Sequence, residues 1–341
     1  MSGNEKKEGM IVVFGASSFI GTYLVDELIS QGRHVFATGR SNSSKEYYIG
    51  KGIPFAQVDI AKQQGFEQLP KENVEAVVSL ASMMPVNDDG CSPQQYVDVN
   101  ITGTLNVLEY CRINKAKKII YGSSHFDISG LWDSGRAITE EDERTINYKD
   151  DHAVYIISKI AAINMVEHYH QAHGVVGITF RFPGVYGYGP HTEIYVDNKV
   201  RAPRFTVFMR NAIAGDPLEI WGDPSRGHDF VYVKDVVGAI IGAIDSNRAH
   251  GLYNIASGVR TSLDEEVKGI IEVFSSPEHR SEIRYRSDKP NIPNTYLYDI
   301  SKVKRDCNYE VHYPFMKMLQ DIKHEMSCQR FPHLISRQKK G

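Results

Sequence analysis

Ile11-Val12-Val13-Phe14-Gly15-Ala16-Ser17-Ser18-Phe19-Ile20-Gly21 is the stretch on which the reading of this chain turns. An apolar run ends on Gly15, and after Ser17-Ser18 the apolar residues Phe19, Ile20, Leu24, Leu28 and Ile29 recur with helical spacing. Strand, tight turn and helix in that order open a βαβ unit. Gly15 permits a sharp turn and Gly21 lets the helix lie close to the strand. The free N–H groups at the helix start, with the positive end of its dipole, suit a pyrophosphate. Ser18 stands midway between the two glycines; it is small and keeps its N–H, so the phosphate site is expected to survive.

Outward from that turn, the first half of the chain alternates strands and helices, the rhythm of a parallel sheet covered on both faces. Arg33–Thr38 reads as a second strand, Ile53–Val58 as a third closed by Asp59, Glu75–Leu80 as a fourth, Lys118–Tyr121 as a fifth and Val175–Arg181 as a sixth. Long helices fit Pro93 to Asn114 and Ala153 to Gln171. Pro183-Gly184-Val185-Tyr186-Gly187-Tyr188-Gly189-Pro190 is rich in turn formers and aromatics, which predicts a departure from the sheet. Asp229–Val233 and Gly251–Ile255 read as later strands around a helix at Asp235–Ile244. The expected architecture is a doubly wound α/β domain over 1–182, rejoined by 228–257. A smaller substrate lobe comes from 183–227 and 258–341, with the cleft between them.

Composition narrows the function classes. The 341 residues carry a net charge of −3, which gives no electrostatic case for nucleic acid or an acidic membrane. The tail Arg337-Gln338-Lys339-Lys340 is too short to alter that, and residues 1–8 are polar with no apolar signal core behind them. No window approaches the ~18 apolar residues of a membrane span. Cys91, Cys111, Cys307 and Cys328 are scattered without metal-ligand spacing, so no metal is expected and a reducing cytoplasm suits the chain.

Two groups of residues can do chemistry. Tyr121-Gly122-Ser123-Ser124-His125 ends the fifth strand, where an open α/β sheet collects its ligands. Tyr155-Ile156-Ile157-Ser158-Lys159 places Tyr and Lys one helical turn apart, so that an ammonium can lower the phenol pKa from ~10 and make it a proton acceptor. The spacing recurs at Tyr47, Tyr195, Tyr285, Tyr298 and Tyr313. Only Tyr155 lies mid-domain on a strong helix downstream of Ser123-Ser124. His125 is either a further acid/base or a histidine that lines the pocket.

Taken in order, Gly15…Ser18…Gly21, Asp59-Ile60, Leu80-Ala81-Ser82, Asn100-Ile101-Thr102-Gly103-Thr104, Ser123-Ser124, Tyr155…Lys159, Arg181…Tyr186-Gly187 and Asp229-Phe230-Val231-Tyr232-Val233-Lys234-Asp235 form an ordered set. The set resembles the extended short-chain dehydrogenase/reductases, in particular their nucleoside-diphosphate-sugar epimerase/dehydratase group, over roughly residues 10–310. The resemblance implies that Ser124, Tyr155 and Lys159 are catalytic: Ser124 hydrogen-bonds the reacting oxygen, Tyr155 moves its proton, and Lys159 holds the nicotinamide ribose. It implies an NAD(P) site at Gly15, Ser17, Ser18, Phe19, Ile20, Gly21, Arg40, Ser41, Asp59, Ile60, Leu80, Ala81, Ser82, Asn100 and Phe182, together with Tyr155 and Lys159. Substrate contacts are expected from Ser123, Ser124, His125, Tyr155, Gly184, Arg226 and His228. The resemblance also implies a homodimer built on a four-helix contact.

This chain departs from the family pattern at several points. Gly184 stands where the sugar-nucleotide enzymes usually carry Asn, and His228-Asp229 stands where they usually read Arg-Asp; Arg226 is a candidate to replace the lost charge. His125-Phe126 replaces the Asp-Glu of the dehydratases, which argues against a 4,6-dehydratase. At the end of the second strand, Gly39 falls where an NAD-preferring site places a carboxylate, and Arg40 follows. Either Arg40 binds a 2′-phosphate, with Ser41, Ser44 and Lys45 as further donors, or it points to solvent and NAD binds without a ribose clamp. The expected cofactor is NADP rather than NAD. The expected function is a 4-epimerase or ketoreductase on a secondary alcohol of a nucleoside-diphosphate sugar. The alternatives are a non-catalytic NADP(H)-sensing protein and a reductase of a non-nucleotide substrate.

Overall fold

Alternation along the first strand sets the layers of the molecule. Ile11 and Val13 point to one side, into a core shared with Leu24, Leu28, Val236 and Ile240, while Val12 and Phe14 point to the other, against Val107, Leu108, Ala162 and Val166. The structure is a computed structural model that describes residues 9–85, 92–149, 152–189, 194–196, 199–291, 294–328 and 330–331. Residues 1–8, Cys91, Pro190, the basic tail at 337–340 and the side chain of Tyr195 lie outside the described residues.

Strands β1 (Met10–Phe14), β2 (His34–Gly39), β3 (Phe55–Gln57), β4 (Val74–Ser79), β5 (Lys118–Ser124), β6 (Val176–Phe182) and β7 (Gly251–Asn254) form a parallel sheet of seven in the order β7-β6-β5-β4-β1-β2-β3. Strand order reverses between β1 and β4, and the crevice at that switch point is where a doubly wound sheet binds its ligand. Helix α1 (Phe19–Ser30) lies on one face with the later helix α5 (Val233–Asp245). The opposite face carries α2 (Gly103–Ile113) and α3 (Ala153–His173). In front of α2 the helical rod begins at Pro93–Tyr96 and passes through a π-helical turn, Val97–Thr102.

β5 runs to Ser124, three residues beyond the expected end at Tyr121, because Gly122, Ser123 and Ser124 pair with Phe180, Arg181 and Phe182 of β6. β3 is shorter than expected. The turn-rich run after β6 contains a short strand, Gly184–Tyr186, held parallel to Phe230–Tyr232. The reason is aromatic packing, since the Tyr186 ring lies 4.7 Å from Phe230 and 4.4 Å from Phe205.

The remaining elements build a second layer beside the sheet. They include α4 (Arg204–Ala214), α6 (Leu263–Phe274) and α7 (Phe315–Cys328), together with Leu218–Trp221 paired in parallel to Ile283–Arg286. Two short pairings tie this layer to the loops around the crevice: Gly227–His228 with Thr261–Ser262, and Leu297–Tyr298 with Ala137–Ile138.

Candidate active site

The turn after β1 is built for close approach. Gly15 adopts φ +79°, and a Cβ there would lie 2.8 Å from Ala81 N; a Cβ on Gly21 would lie 2.2 Å from Gly15 O. Ser18 is the N-cap of α1 and accepts a 3.1 Å hydrogen bond from Gly21 N. Serine thus does more than replace a glycine, because it caps the helix whose N-terminus a pyrophosphate would meet. Tyr48 supports the turn from below, donating to Ala16 O at 2.5 Å. Ser17 Oγ is buried with no partner. A glycine cradle with an unpaired hydroxyl beside it fits the pyrophosphate and ribose of a dinucleotide.

At the end of β2, a Cβ on Gly39 would come within 2.9 Å of Ser17 Oγ, so Ser17 occupies the room a carboxylate would need. Arg40 is exposed, and its carbonyl accepts from Gln57 Nε2 at 3.1 Å. Ser41 bonds Ser43 at 2.7 Å, and Ser44 is buried. Beyond β3, Asp59 accepts from Ala61 N, and Ile60 packs on Gly103, whose Cβ would lie 2.7 Å from it.

Leu80, Ala81 and Ser82 follow β4 along the crevice. Asn100 reaches the same place, but its amide is engaged: it accepts from Met83 N at 2.8 Å and from Ser82 Oγ at 3.0 Å, and donates to Met83 O and Ser158 Oγ. Asn100 clamps the Ser82-Met83 loop to α3.

Ser124 ends β5, Tyr155 and Lys159 come from α3, and all three meet at the mouth of the crevice. The Tyr155 hydroxyl donates to Met84 Sδ at 3.4 Å and lies near enough to Ser124 for that hydroxyl to pull its pKa down. Lys159 is 3% exposed, donates to Gly122 O at 2.7 Å and Ser82 Oγ at 3.3 Å, and sits 4.5 Å over the Tyr121 ring. The expected pull of the ammonium on the phenol is not present. Burial raises Tyr155 to about 12, against the lowering effect of Ser124, and burial lowers Lys159 to about 7. The lysine head is turned to carbonyl and serine oxygens rather than to the phenol. By contrast, Tyr47 and Lys51, set aside on sequence, do touch, at 2.6 Å.

The remaining candidates gather one layer farther out. His125 is buried, its Nδ1 hydrogen-bonds Tyr298 Oη at 2.8 Å, and desolvation holds it near pKa 3. It sits in an aromatic cluster with Trp132, Tyr296 and Tyr298, with its Nδ1 already engaged, as a histidine that lines the pocket does. His228 is also buried and desolvated to about 3; its Nε2 meets Tyr186 Oη at 3.2 Å and its Nδ1 has no partner. A Cβ on Gly184 would find nothing nearer than Tyr186 Cζ at 4.0 Å, so the missing asparagine leaves open space. Arg226 does not deliver a spare charge to this cluster, because it pairs with Asp133 at 2.7 Å. Ser123 Oγ is buried without a partner, and Phe182 covers Gly122 at 3.1 Å from its Cβ position.

Sequence reasoning missed the strongest charge pair near the site. Arg181, in β6, makes a bidentate bond to Asp127, with both contacts at 2.9 Å and both side chains buried, and also donates to Asn254 in β7. It fixes the loop that follows Ser124. The available signal was an arginine inside the apolar run Phe180-Arg181-Phe182, since a charge in a buried strand requires a partner. Among the described residues, no cluster of three or more His, Cys, Asp or Glu could hold a metal, and no helix is long and apolar enough to cross a membrane.

Comparison with known proteins bears on this geometry. The family model described as NAD dependent epimerase/dehydratase family matches residues 11–256. The chain belongs to that family. A putative UDP-glucose 4-epimerase of Methanocaldococcus jannaschii is 28% identical over 301 residues, 86% of this chain and 91% of its own length. The UDP-glucose 4-epimerase of Thermotoga maritima, solved with UDP-glucose, aligns with a TM-score of 0.76 at 23% identity, covering 94% of this chain and 99% of that one. The enzyme of the same name from Thermus thermophilus, solved with NAD, aligns at 0.74 and 22% identity, covering 93% and 99%. The epimerase/dehydratase family member described here is thus an enzyme of the extended short-chain dehydrogenase/reductase type with a Rossmann-like fold.

Proposed function

We propose that this enzyme is an NAD(P)-dependent epimerase or ketoreductase acting on a secondary alcohol or ketone of a nucleoside-diphosphate sugar, of the 4-epimerase type. The observation that carries the reading is the Ser124–Tyr155 hydroxyl pair at the carboxyl end of β5, with Lys159 in the crevice wall. The names of similar proteins, UDP-glucose 4-epimerases among them, support the substrate class. When bound, a nicotinamide supplies hydride exchange and, in its oxidised form, a positive charge. Ser124 hydrogen-bonds the reacting oxygen. In reduction Tyr155, protonated, gives its proton to the ketone oxygen; in oxidation it must be the phenolate to take the alcohol proton, a form that burial disfavours and that the positive charge of an oxidised nicotinamide would favour. Lys159, with donors to spare beyond Gly122 and Ser82, holds the ribose. NADP is the preferred cofactor on this reading, because the end of β2 offers Arg40 and no carboxylate. The enzyme works in the cytoplasm as a homodimer.

Tyr155→Phe tests the assignment. The substitution removes a proton-transfer group and almost no volume, so folding and cofactor affinity persist while turnover falls ~10²–10⁴-fold. Turnover at the wild-type rate would remove Tyr155 from the mechanism.

A further inference from the structure

Among the described residues, Met84 is the one methionine with an exposed side chain, and its sulfur sits on the Tyr155 hydroxyl. Met84 is 40% exposed, while Tyr155 is 2% exposed and packs with Met83, Tyr96 and Ile156. The phenol thus spends its hydrogen on a thioether that solvent reaches, at 3.4 Å. The backbone just before Met84 is pinned: Asn100 accepts from Met83 N at 2.8 Å and donates to Met83 O at 3.1 Å. Met83 itself is buried, so two methionines side by side in sequence differ sharply in what can reach them.

A thioether is a weak acceptor, and peroxides convert it to a sulfoxide. In that step sulfur attacks one oxygen of a hydroperoxide. The S–O bond forms as the O–O bond breaks, and sulfur gives up two electrons. The peroxide's proton passes to the departing oxygen, which leaves as water from hydrogen peroxide or as an alcohol from an organic one. The new oxygen carries partial negative charge and accepts far more strongly than sulfur. A methionine side chain has the rotatable bonds to lay that oxygen on Tyr155 Oη. A strong acceptor on the neutral phenol holds it neutral and keeps its proton from a ketone, while the phenolate needed for alcohol oxidation becomes harder to form.

We propose that Met84 is a site of reversible oxidation by hydroperoxides, and that its sulfoxide locks Tyr155. The locking rests on the proton-carrying role of Tyr155 given above; the modification itself does not. Cys328 is a second exposed sulfur, 3.6 Å from His324, so the test separates thioether from thiol. Cofactor-loaded enzyme labelled with carbon-13 in its methionine methyl groups is treated with hydrogen peroxide and followed by NMR, the Met84 signal being assigned by its loss in Met84→Leu. Met84 converts to sulfoxide at least ten-fold faster than Met83, and the oxidised Met84 signal moves when Tyr155→Phe removes the hydroxyl. Turnover of a nucleotide sugar falls ten-fold or more in step with that conversion. Dithiothreitol alone leaves it low; dithiothreitol with methionine sulfoxide reductases for both epimers restores it. Met84→Leu, measured against its own untreated rate, keeps most of its turnover at the same dose. The proposal is overturned if Met84 oxidises no faster than Met83, or if its oxidised signal is indifferent to Tyr155→Phe. It is overturned equally if turnover survives full conversion at Met84, or if Met84→Leu loses the same fraction as wild type. If untreated enzyme turns over no nucleotide sugar, the functional reading falls by itself, and the two NMR arms still decide the site and its contact with Tyr155.

Discussion

Arg40 and Gly39 are the residues on which the proposed NADP preference rests. With Ser17 Oγ filling the space beside Gly39, no carboxylate repels a 2′-phosphate, and the exposed Arg40 is free to turn toward it. NADP(H) is expected to bind more tightly than NAD(H). Arg40→Ala should narrow the gap by ~1.5–3 kcal/mol, the worth of a charged hydrogen bond. Titrating both cofactors into wild type and variant measures it, and equal wild-type affinities would count against the assignment. At this scale the sequence was legible where context selected a residue and illegible where only contact could. Tyr155 stood out from five other Tyr-x-x-x-Lys spacings because of the strand and helix around it. That its lysine turns away to Gly122 and Ser82, or that His125 is spent on Tyr298, depends on side-chain directions that no spacing encodes.

Elements carry those residues, and the loop after β5 follows directly on Ser124. It is anchored by the Asp127–Arg181 pair, so Asp127→Ala leaves a guanidinium buried without its partner. The expected cost is ~3–5 kcal/mol in urea unfolding, the usual consequence of breaking a buried pair. Arg144, a second and partly exposed partner at 3.5 Å from Asp127, gives the contrast. Arg144→Ala should cost less than ~1 kcal/mol. Equal losses from the two would show that the buried bidentate contact is not what holds the loop. Strands and helices of the sheet were legible from apolar periodicity, within a few residues at their ends. The short strand at Gly184–Tyr186 was not, because turn residues mask a pairing that ring packing with Phe230 imposes from another part of the chain.

For the whole molecule, the question is what meets the outer face of α2 and α3. Val97 and Leu105 on the rod that ends in α2, and Ile157 on α3, are 37%, 40% and 41% exposed. Apolar side chains left on two neighbouring helices suit the isologous contact of a two-fold dimer. Light scattering at micromolar concentration should give the dimer mass, and Leu105→Glu with Ile157→Glu should shift it to the monomer. A wild-type monomer would refute the contact. The apolar positions alone did not decide this from sequence, because each helix also packs on its own sheet and periodicity cannot divide one stripe between two duties.

The π-helical turn at Val97–Thr102 gives the rod a property that a regular helix lacks. Asn100, inside that turn, must face Met83 and Ser158, while Gly103 and Asn106, just past it, must face Ile60. A π turn holds one residue more than an α turn, so it resets the angular phase between these two obligations. The rod behaves like a gear with one tooth added where two shafts have to mesh. Removing a single residue there would put one end out of phase with the other, turning either Asn100 off the Ser82-Met83 loop or Gly103 and Asn106 off Ile60, so the length of this segment matters as well as its residues.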